Sequence, residues 1–226
     1  MQNLTIQKLC EIFKERLHQK PPDPASYTVT NAKTQFVPLQ VEAYFLALNR
    51  YVAEGSTVLD VGFGLGYGLT ILAIKASQVS GVEVDARALV HTRSVIEGRN
   101  PRLVGLSLYN GYDLEFSDNS FDTVTCVDII EHVTNYHRLV TEMLRVARKG
   151  VFLSTPNRRP EYTNKNGSPK NPYHLREWSY EEFDGIIRRY GKIDWNFLNG
   201  MWEGPFTISQ ELQPDTQALS PFIYKP

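Results

Sequence analysis

The chain has 226 residues, with 24 Lys/Arg against 25 Asp/Glu and a formal net charge of −1, so it carries no broad basic field and binding to duplex nucleic acid is not expected. The length suits one α/β domain with a sizeable core; the absence of an apolar run of about 18 residues and the start Met1-Gln2-Asn3-Leu4 lead us to expect a soluble, cytoplasmic protein with no membrane partner. The two cysteines, Cys10 and Cys126, are far apart in sequence, which suggests reduced thiols rather than a disulfide framework or a cysteine-based metal site.

In chain order, Leu4, Ile6, Leu9, Cys10, Phe13 and Leu17 recur at helical spacing, and Pro21-Pro22-Asp23-Pro24 ends that helix. A second helix is predicted from Pro38 to about Val52, with Pro38 in its first turn and Val41, Phe45 and Leu48 on one face. Residues 1–54 are read as a helical extension and 55–226 as the main domain. From Ser56 the pattern alternates, with strands near 57–61, 78–84, 104–109, 122–127 and 150–155 and helices near 68–76, 86–98, 135–148 and 180–190. Gly98 and Gly150 each follow a helical segment with basic residues in its last turn, which suits left-handed caps. Ser179 with Glu182 spells a capping box for the last helix. Two more strands are expected near 191–198 and 218–224. The alternation predicts an α/β, Rossmann-like doubly wound sheet.

The first strand runs into Asp60-Val61-Gly62-Phe63-Gly64-Leu65-Gly66-Tyr67-Gly68, and the second ends in Gly81-Val82-Glu83-Val84-Asp85. Glycines after a buried strand let backbone N–H groups approach a ligand at a strand-to-helix turn. A dinucleotide fingerprint would place a glycine at 67, where Tyr67 stands, and Asp60 would repel a pyrophosphate. A cationic, amine-bearing cofactor suits that acid. Residues 58–66 resemble motif I of the class I S-adenosylmethionine-dependent methyltransferases. The resemblance implies that the loop of Gly62, Phe63, Gly64 and Gly66, with Asp60 before it, wraps the amino-acid end of the cofactor. It also implies that Glu83, with Val84 beside it, takes the ribose hydroxyls; Asp85 fits a cap for the next helix. In the family the last two strands form an antiparallel hairpin, giving a seven-stranded sheet, and N-terminal helices often cover the cofactor.

Ligands of such sheets lie beyond the carboxyl ends of the strands. After the third strand, the segment that ends in Asn119-Ser120-Phe121-Asp122 resembles the family's adenine-binding stretch, with Asn110 and Glu115 in place of its Asp and Pro; Gly111 and Tyr112 are the candidates there. After the fourth strand, Asp128-Ile129-Ile130-Glu131-His132 resembles the Asp-x-x-Glu-His element of ubiquinone-pathway and related small-molecule O-methyltransferases, with Asp128 near the methionine end of the cofactor. A helical turn from Asp128 would set Asp128, Glu131 and His132 on one face, able to form a proton relay or to hold a divalent metal. With His174 they make the candidate metal set. After the fifth strand, Thr155-Pro156-Asn157-Arg158 and Asn171-Pro172-Tyr173-His174-Leu175-Arg176-Glu177-Trp178 resemble the same subgroup. This lid carries Arg158, Arg159, Lys165, Lys170 and Arg176 against Glu161 and Glu177. His132 or His174 would take the acceptor's proton.

The expected activity is methyl transfer from S-adenosylmethionine to an oxygen, or second to a nitrogen, of a small-molecule acceptor. The alternatives are a metal-assisted O-methyltransferase acting on a catechol, sugar or ribose hydroxyl, an NAD-dependent oxidoreductase, and a non-catalytic scaffold. Nucleic-acid base methylation is disfavoured, because Asp128-Ile129-Ile130-Glu131 lacks the Asn/Asp-Pro-Pro-aromatic motif. Acceptor choice should lie with the N-terminal segment, the 157–178 lid and the 199–215 loop; the sequence assigns no oligomeric state.

Overall fold

β-branched runs separated by amphipathic segments build the sheet. The computed structural model describes residues 37–96, 98–200 and 206–226; the expected helix over 3–18, the proline linker and Cys10 lie outside them. The first described element is helix α1 (Val37–Arg50). There follow β1 (Thr57–Val61), α2 (Tyr67–Leu72), β2 (Gln78–Glu83), α3 (Ala86–Ile96), β3 (Leu103–Leu108) and β4 (Phe121–Val127). Next are α4 (Tyr136–Val146), β5 (Ala147–Pro156), α5 (Tyr180–Ile187), β6 (Ile193–Asp194), β7 (Phe197–Gly200), β8 (Phe206–Ser209), β9 (Thr216–Leu219) and β10 (Phe222–Tyr224).

The strands join in the order β3-β2-β1-β4-β5, all parallel, and the order reverses between β1 and β4. Strand side chains alternate between two apolar layers. Val58, Val127 and Phe152 face the layer with α1 and α2, while Leu59, Cys126 and Leu153 face the layer with α4 and α5. Helix α4 seals the second layer with Leu139, Val140 and Met143, all buried.

Beyond β5 the sheet becomes antiparallel, as expected, but in more pieces. The ten-residue β5 pairs with β10 along Gly150–Phe152 and with β9 at Thr155 and Pro156. Pro221 stands between β9 and β10, and without an N–H it interrupts the ladder, so the expected strand over 218–224 is split in two. The strand expected at 191–198 is split into β6 and β7 about Trp195-Asn196, where the Asn196 carbonyl accepts from Ser220 N–H at 2.8 Å. Strand β8, added outside β7, falls in the stretch read as a loop.

Gly150 is no helix cap. It lies inside β5, where a Cβ would stand 2.2 Å from the Ile223 carbonyl oxygen of β10; the close approach of the two strands demands the glycine, and α4 ends earlier, at Val146. The capping box of α5 is present, with Ser179 and Glu182 each accepting the other's backbone N–H.

Candidate functional site

A cleft of about 1220 Å³ opens at the carboxyl ends of the parallel strands and is lined from α1, β2, β4, β5, β7 and β9 and from the loops after β1 and β3. It straddles the β1/β4 reversal, where an open α/β sheet leaves a crevice. The β1–α2 loop forms one wall. Gly62 has φ +77°, and a Cβ there would lie 2.4 Å from Ile129 Cδ1, so loop and β4 segment close on each other only over a bare Cα. Glu83, 5% exposed, ends β2 and ties this wall together: its carboxylate accepts from Gly64 N–H at 2.8 Å, Val84 N–H at 2.8 Å and Asp85 N–H at 3.2 Å. Asp85 in turn accepts from Arg87 N–H at 2.8 Å at the start of α3, as a capping residue does.

Asp60 is fully buried and stands behind the wall rather than on it. Its carboxyl accepts from Tyr44 Oη at 3.1 Å and Thr125 Oγ1 at 2.7 Å, and burial raises its pKa from 3.8 to about 7. Tyr44 does line the cleft. Its ring lies directly on Gly68, whose added Cβ would come within 2.2 Å of it. The glycine after Tyr67 therefore seats an α1 side chain, a role the motif alone does not reveal.

Phe63 and Val84 line the same end of the cleft, as do Gly111 and Tyr112. Asn110 organises the latter pair: its Oδ1 accepts from Tyr112 N–H at 2.9 Å and Asp113 N–H at 2.8 Å, an Asx turn. Arg138 lies 5.9 Å over the Tyr112 ring.

After β4 the backbone does not form the expected helical turn from Asp128. Asp128 has φ +52°, and a 3-10 turn then spans Ile130–His132. Asp128 consequently points elsewhere, accepting from Ser154 Oγ at 3.0 Å and from the Gln40 side chain, while Glu131, His132 and His174 form a cluster whose ligand atoms all lie within 4.8 Å of one another. Burial raises the pKa of both carboxyls, and Asp128 pushes that of Glu131 further. Glu131 is fully buried. Thr155 Oγ1 donates to its Oε2 at 3.1 Å, whereas Oε1 has no hydrogen-bond partner and lies 3.9 Å from His132 Nε2.

The imidazole tautomers follow from their partners. The Tyr173 carbonyl, 2.8 Å from His132 Nδ1, can only accept, so Nδ1 carries the proton and Nε2 the lone pair. Burial lowers the His132 pKa. His174 Nδ1 donates to the Glu177 carboxylate at 2.6 Å, and its Nε2 accepts from Asn171 Nδ2 at 2.9 Å. The Asn171 amide is oriented by Tyr173 N–H, which donates to its Oδ1 at 3.1 Å. The two rings pack edge to face, 4.8 Å between centroids.

Sequence reasoning assigned no role to Gln40, Tyr44, Asn171, Glu177 or Gln217, all of which line the cleft. Glu177 was legible in its spacing, three residues after His174; the others depend on contacts between distant segments.

Residues 59–155 match a family described as a methyltransferase domain. The chain is 33% identical over 192 residues to a probable S-adenosylmethionine-dependent methyltransferase of Mycobacterium tuberculosis, covering 80% of this chain and 67% of that protein. It is 34% identical over 100 residues to a phosphatidylethanolamine N-methyltransferase of Cereibacter sphaeroides (43% of this chain, 48% of that one). It is 31% identical over 116 residues to a ubiquinone biosynthesis O-methyltransferase of Dechloromonas aromatica, covering 47% of each. In fold, a structure of a SAM-dependent methyltransferase from Aquifex aeolicus superposes with a TM-score of 0.61 at 16% identity, over 89% of this chain and 98% of the other.

Proposed function

This chain belongs to the class I S-adenosylmethionine-dependent methyltransferases, and on that premise we propose that it methylates an oxygen of a small-molecule acceptor, with His132 as the base that receives the acceptor's proton. The NAD-dependent and non-catalytic alternatives do not survive the premise. The cleft fits the cofactor: Gly62, Phe63 and Gly64 of the β1–α2 loop line it beside Glu83, whose carboxylate fixes the loop through the Gly64 N–H. When bound, S-adenosylmethionine supplies an electrophilic methyl on a sulfonium sulfur. Gly62, Phe63 and Gly64 would hold its amino-acid end, Glu83 with Val84 its ribose, and Gly111 with Tyr112 its adenine; Gly66, expected in that set, does not line the cleft and instead packs on α3, where a Cβ would stand 2.5 Å from Thr92 Cγ2. Asp60 would act through Tyr44, as a positioning residue. Asp128, with Gln40, would border the methionine end. The segment 1–54 would cover the cofactor; its described part, α1, lines the cleft with Gln40 and Tyr44.

The observation that carries the oxygen acceptor is the His132–His174 pair. A hydroxyl must lose a proton as it is methylated, and a neutral imidazole suits that task at neutral pH. His132 keeps its Nε2 lone pair by donating Nδ1–H to the Tyr173 carbonyl. Both ring nitrogens of His174 are engaged, by Glu177 and Asn171, so His174 orients the acceptor end and His132 takes the proton.

A second reading rests on the partnerless Glu131 Oε1. One carboxylate and two imidazoles, a donor set suited to a borderline divalent cation, would let Glu131, His132 and His174 hold a metal and polarise the acceptor hydroxyl, provided the His174 Nε2 lone pair exchanges the Asn171 amide for the metal. Asp128 stands outside this set.

The test is transfer of labelled methyl to a panel of hydroxylated small molecules, with and without chelator. We expect turnover that survives the chelator and falls about 10²–10⁴-fold in His132→Ala, with S-adenosylhomocysteine affinity unchanged. Activity lost to the chelator and restored by a divalent cation would select the metal reading. Transfer confined to amines would refute the oxygen assignment.

A further inference from the structure

The strand order puts the cofactor half of the cleft over β1, β2 and β4, which leaves the part walled by β5, β9 and the 157–178 segment for the acceptor. On that wall Gln217 is 5% exposed. Its Nε2 donates to the Gly200 carbonyl at 2.7 Å and the Asp215 carbonyl at 3.1 Å. These two acceptors fix the amide orientation, since the flipped amide would set its oxygen against two carbonyl oxygens. Gln217 Oε1 is therefore held in place, and it has no hydrogen-bond partner. A buried acceptor left unsatisfied costs about 1–3 kcal/mol, a cost that a ligand N–H or O–H would relieve. Asp215 lines the same wall, and its carbonyl also accepts from Gly200 N–H at 3.2 Å.

The five cations of the 157–178 segment separate in the structure. Arg158 is drawn to Glu182 at 2.7 Å, and Arg176 lies 5.1 Å over the Tyr136 ring while donating to the Val133 and Thr134 carbonyls. Lys165 is exposed and does not line the cleft. Arg159 and Lys170 do line it, and both are tied to Glu161. Arg159 Nη2 meets the Glu161 carboxylate at 2.5 Å, and Lys170 Nζ donates to the Glu161 carbonyl at 2.8 Å. Each cation keeps further N–H donors, three on an ammonium and five on a guanidinium in all.

We infer that the acceptor is a hydroxylated small anion, a sugar-like molecule bearing a carboxylate or a phosphate, whose charged group is held by Arg159 and Lys170 and one of whose hydroxyls donates to Gln217 Oε1. This rests on the methyltransferase reading of the cleft and adds its substrate class. The planar fork of Arg159 matches a pair of carboxylate or phosphate oxygens, and Lys170 adds a point charge.

The experiment titrates the full chain, saturated with S-adenosylhomocysteine, calorimetrically with D-glucuronate, glucose 6-phosphate and uncharged glucose. Expected is binding of at least one of the two anions at least tenfold tighter than glucose; which of them binds identifies the anionic group. Arg159→Gln with Lys170→Gln should erase that advantage and leave S-adenosylhomocysteine affinity unchanged. Gln217→Leu and Gln217→Glu should each weaken the preferred anion several-fold while S-adenosylhomocysteine affinity stays unchanged, which a general disruption of the cleft would not produce. Glucose binding as tightly as both anions, an anion preference that survives the double substitution, or no anion binding to the loaded protein would overturn the assignment. A protein that fails to bind S-adenosylhomocysteine would instead fail the cofactor reading on which it rests.

Discussion

Asp60→Asn isolates what a buried acid in the glycine motif does. In the fold the carboxyl titrates at about 7, against 3.8 for the free group, with burial the largest cause. A raised folded pKa means that the folded state binds the proton more tightly, so this group's stabilisation is fully present below about pH 4 and is lost as pH rises through about 7. At 1.36 kcal/mol per unit, the wild type should lose about 2 kcal/mol of stability from this group between about pH 5.5 and 8.5. Asparagine keeps the hydrogen bonds: its Oδ1 accepts from Thr125, and its Nδ2 donates to the Tyr44 oxygen. Urea unfolding of both proteins at the two pH values reads the difference directly, because contributions from other titrating groups cancel. The variant should gain about 2 kcal/mol relative to the wild type at the higher pH. Stability profiles that run parallel across that range would refute the argument. S-adenosylhomocysteine affinity should fall less in this variant than in Glu83→Ala, since Asp60 reaches the cleft through Tyr44.

Two further outcomes follow from the same wall. Gly68→Ala drives a methyl into the Tyr44 ring, 2.2 Å from the ideal Cβ, and should cost about 1–3 kcal/mol in urea unfolding while weakening S-adenosylhomocysteine by displacing Tyr44; equal stability and affinity would show that the ring yields freely. Glu83→Ala removes three backbone contacts of the loop and should weaken S-adenosylhomocysteine by over about tenfold, some 1.4 kcal/mol, in calorimetry, while an unchanged affinity would remove Glu83 from the site.

Local signals served where local chemistry decides. The runs Thr57–Val61 and Phe121–Val127 read as strands because β-branched and apolar residues fill them, and Ser179 with Glu182 reads as a cap because the motif is complete within four residues. The β5 start was misplaced because Arg148 and Lys149 continue a helical polar pattern, whereas pairing with β4 across Phe121 and Ala147 draws that stretch into the sheet. Strand β8 was missed because Phe206-Thr207-Ile208-Ser209 follows a Gly-Pro step and gains its identity only from pairing with β7. The site divides likewise. Glu83 and the glycines stand in short motifs at the ends of two strands, but Tyr44 under Gly68, Asn171 on His174 and the orphaned oxygen of Gln217 each need two segments at once.

Asp60, Asp128 and Glu131 lie at the ends of β1 and β4, and burial holds all three above the ordinary carboxylate range. Desolvating three acids around one cleft is unfavourable for the fold alone. The arrangement becomes reasonable when the ligand is positive, since a cation entering the cleft finds acids already shielded from water, where charge attraction is stronger than at a surface. A cofactor with a sulfonium and an ammonium meets that condition, and an anionic dinucleotide would oppose it. The acidity that first distinguished Asp60 from a pyrophosphate site thus extends to β4, and the cations of the acceptor wall, Arg159 and Lys170, complement it with sites for negative charge. On the proposed assignment, charge as well as shape would sort cofactor and acceptor to their halves of the cleft.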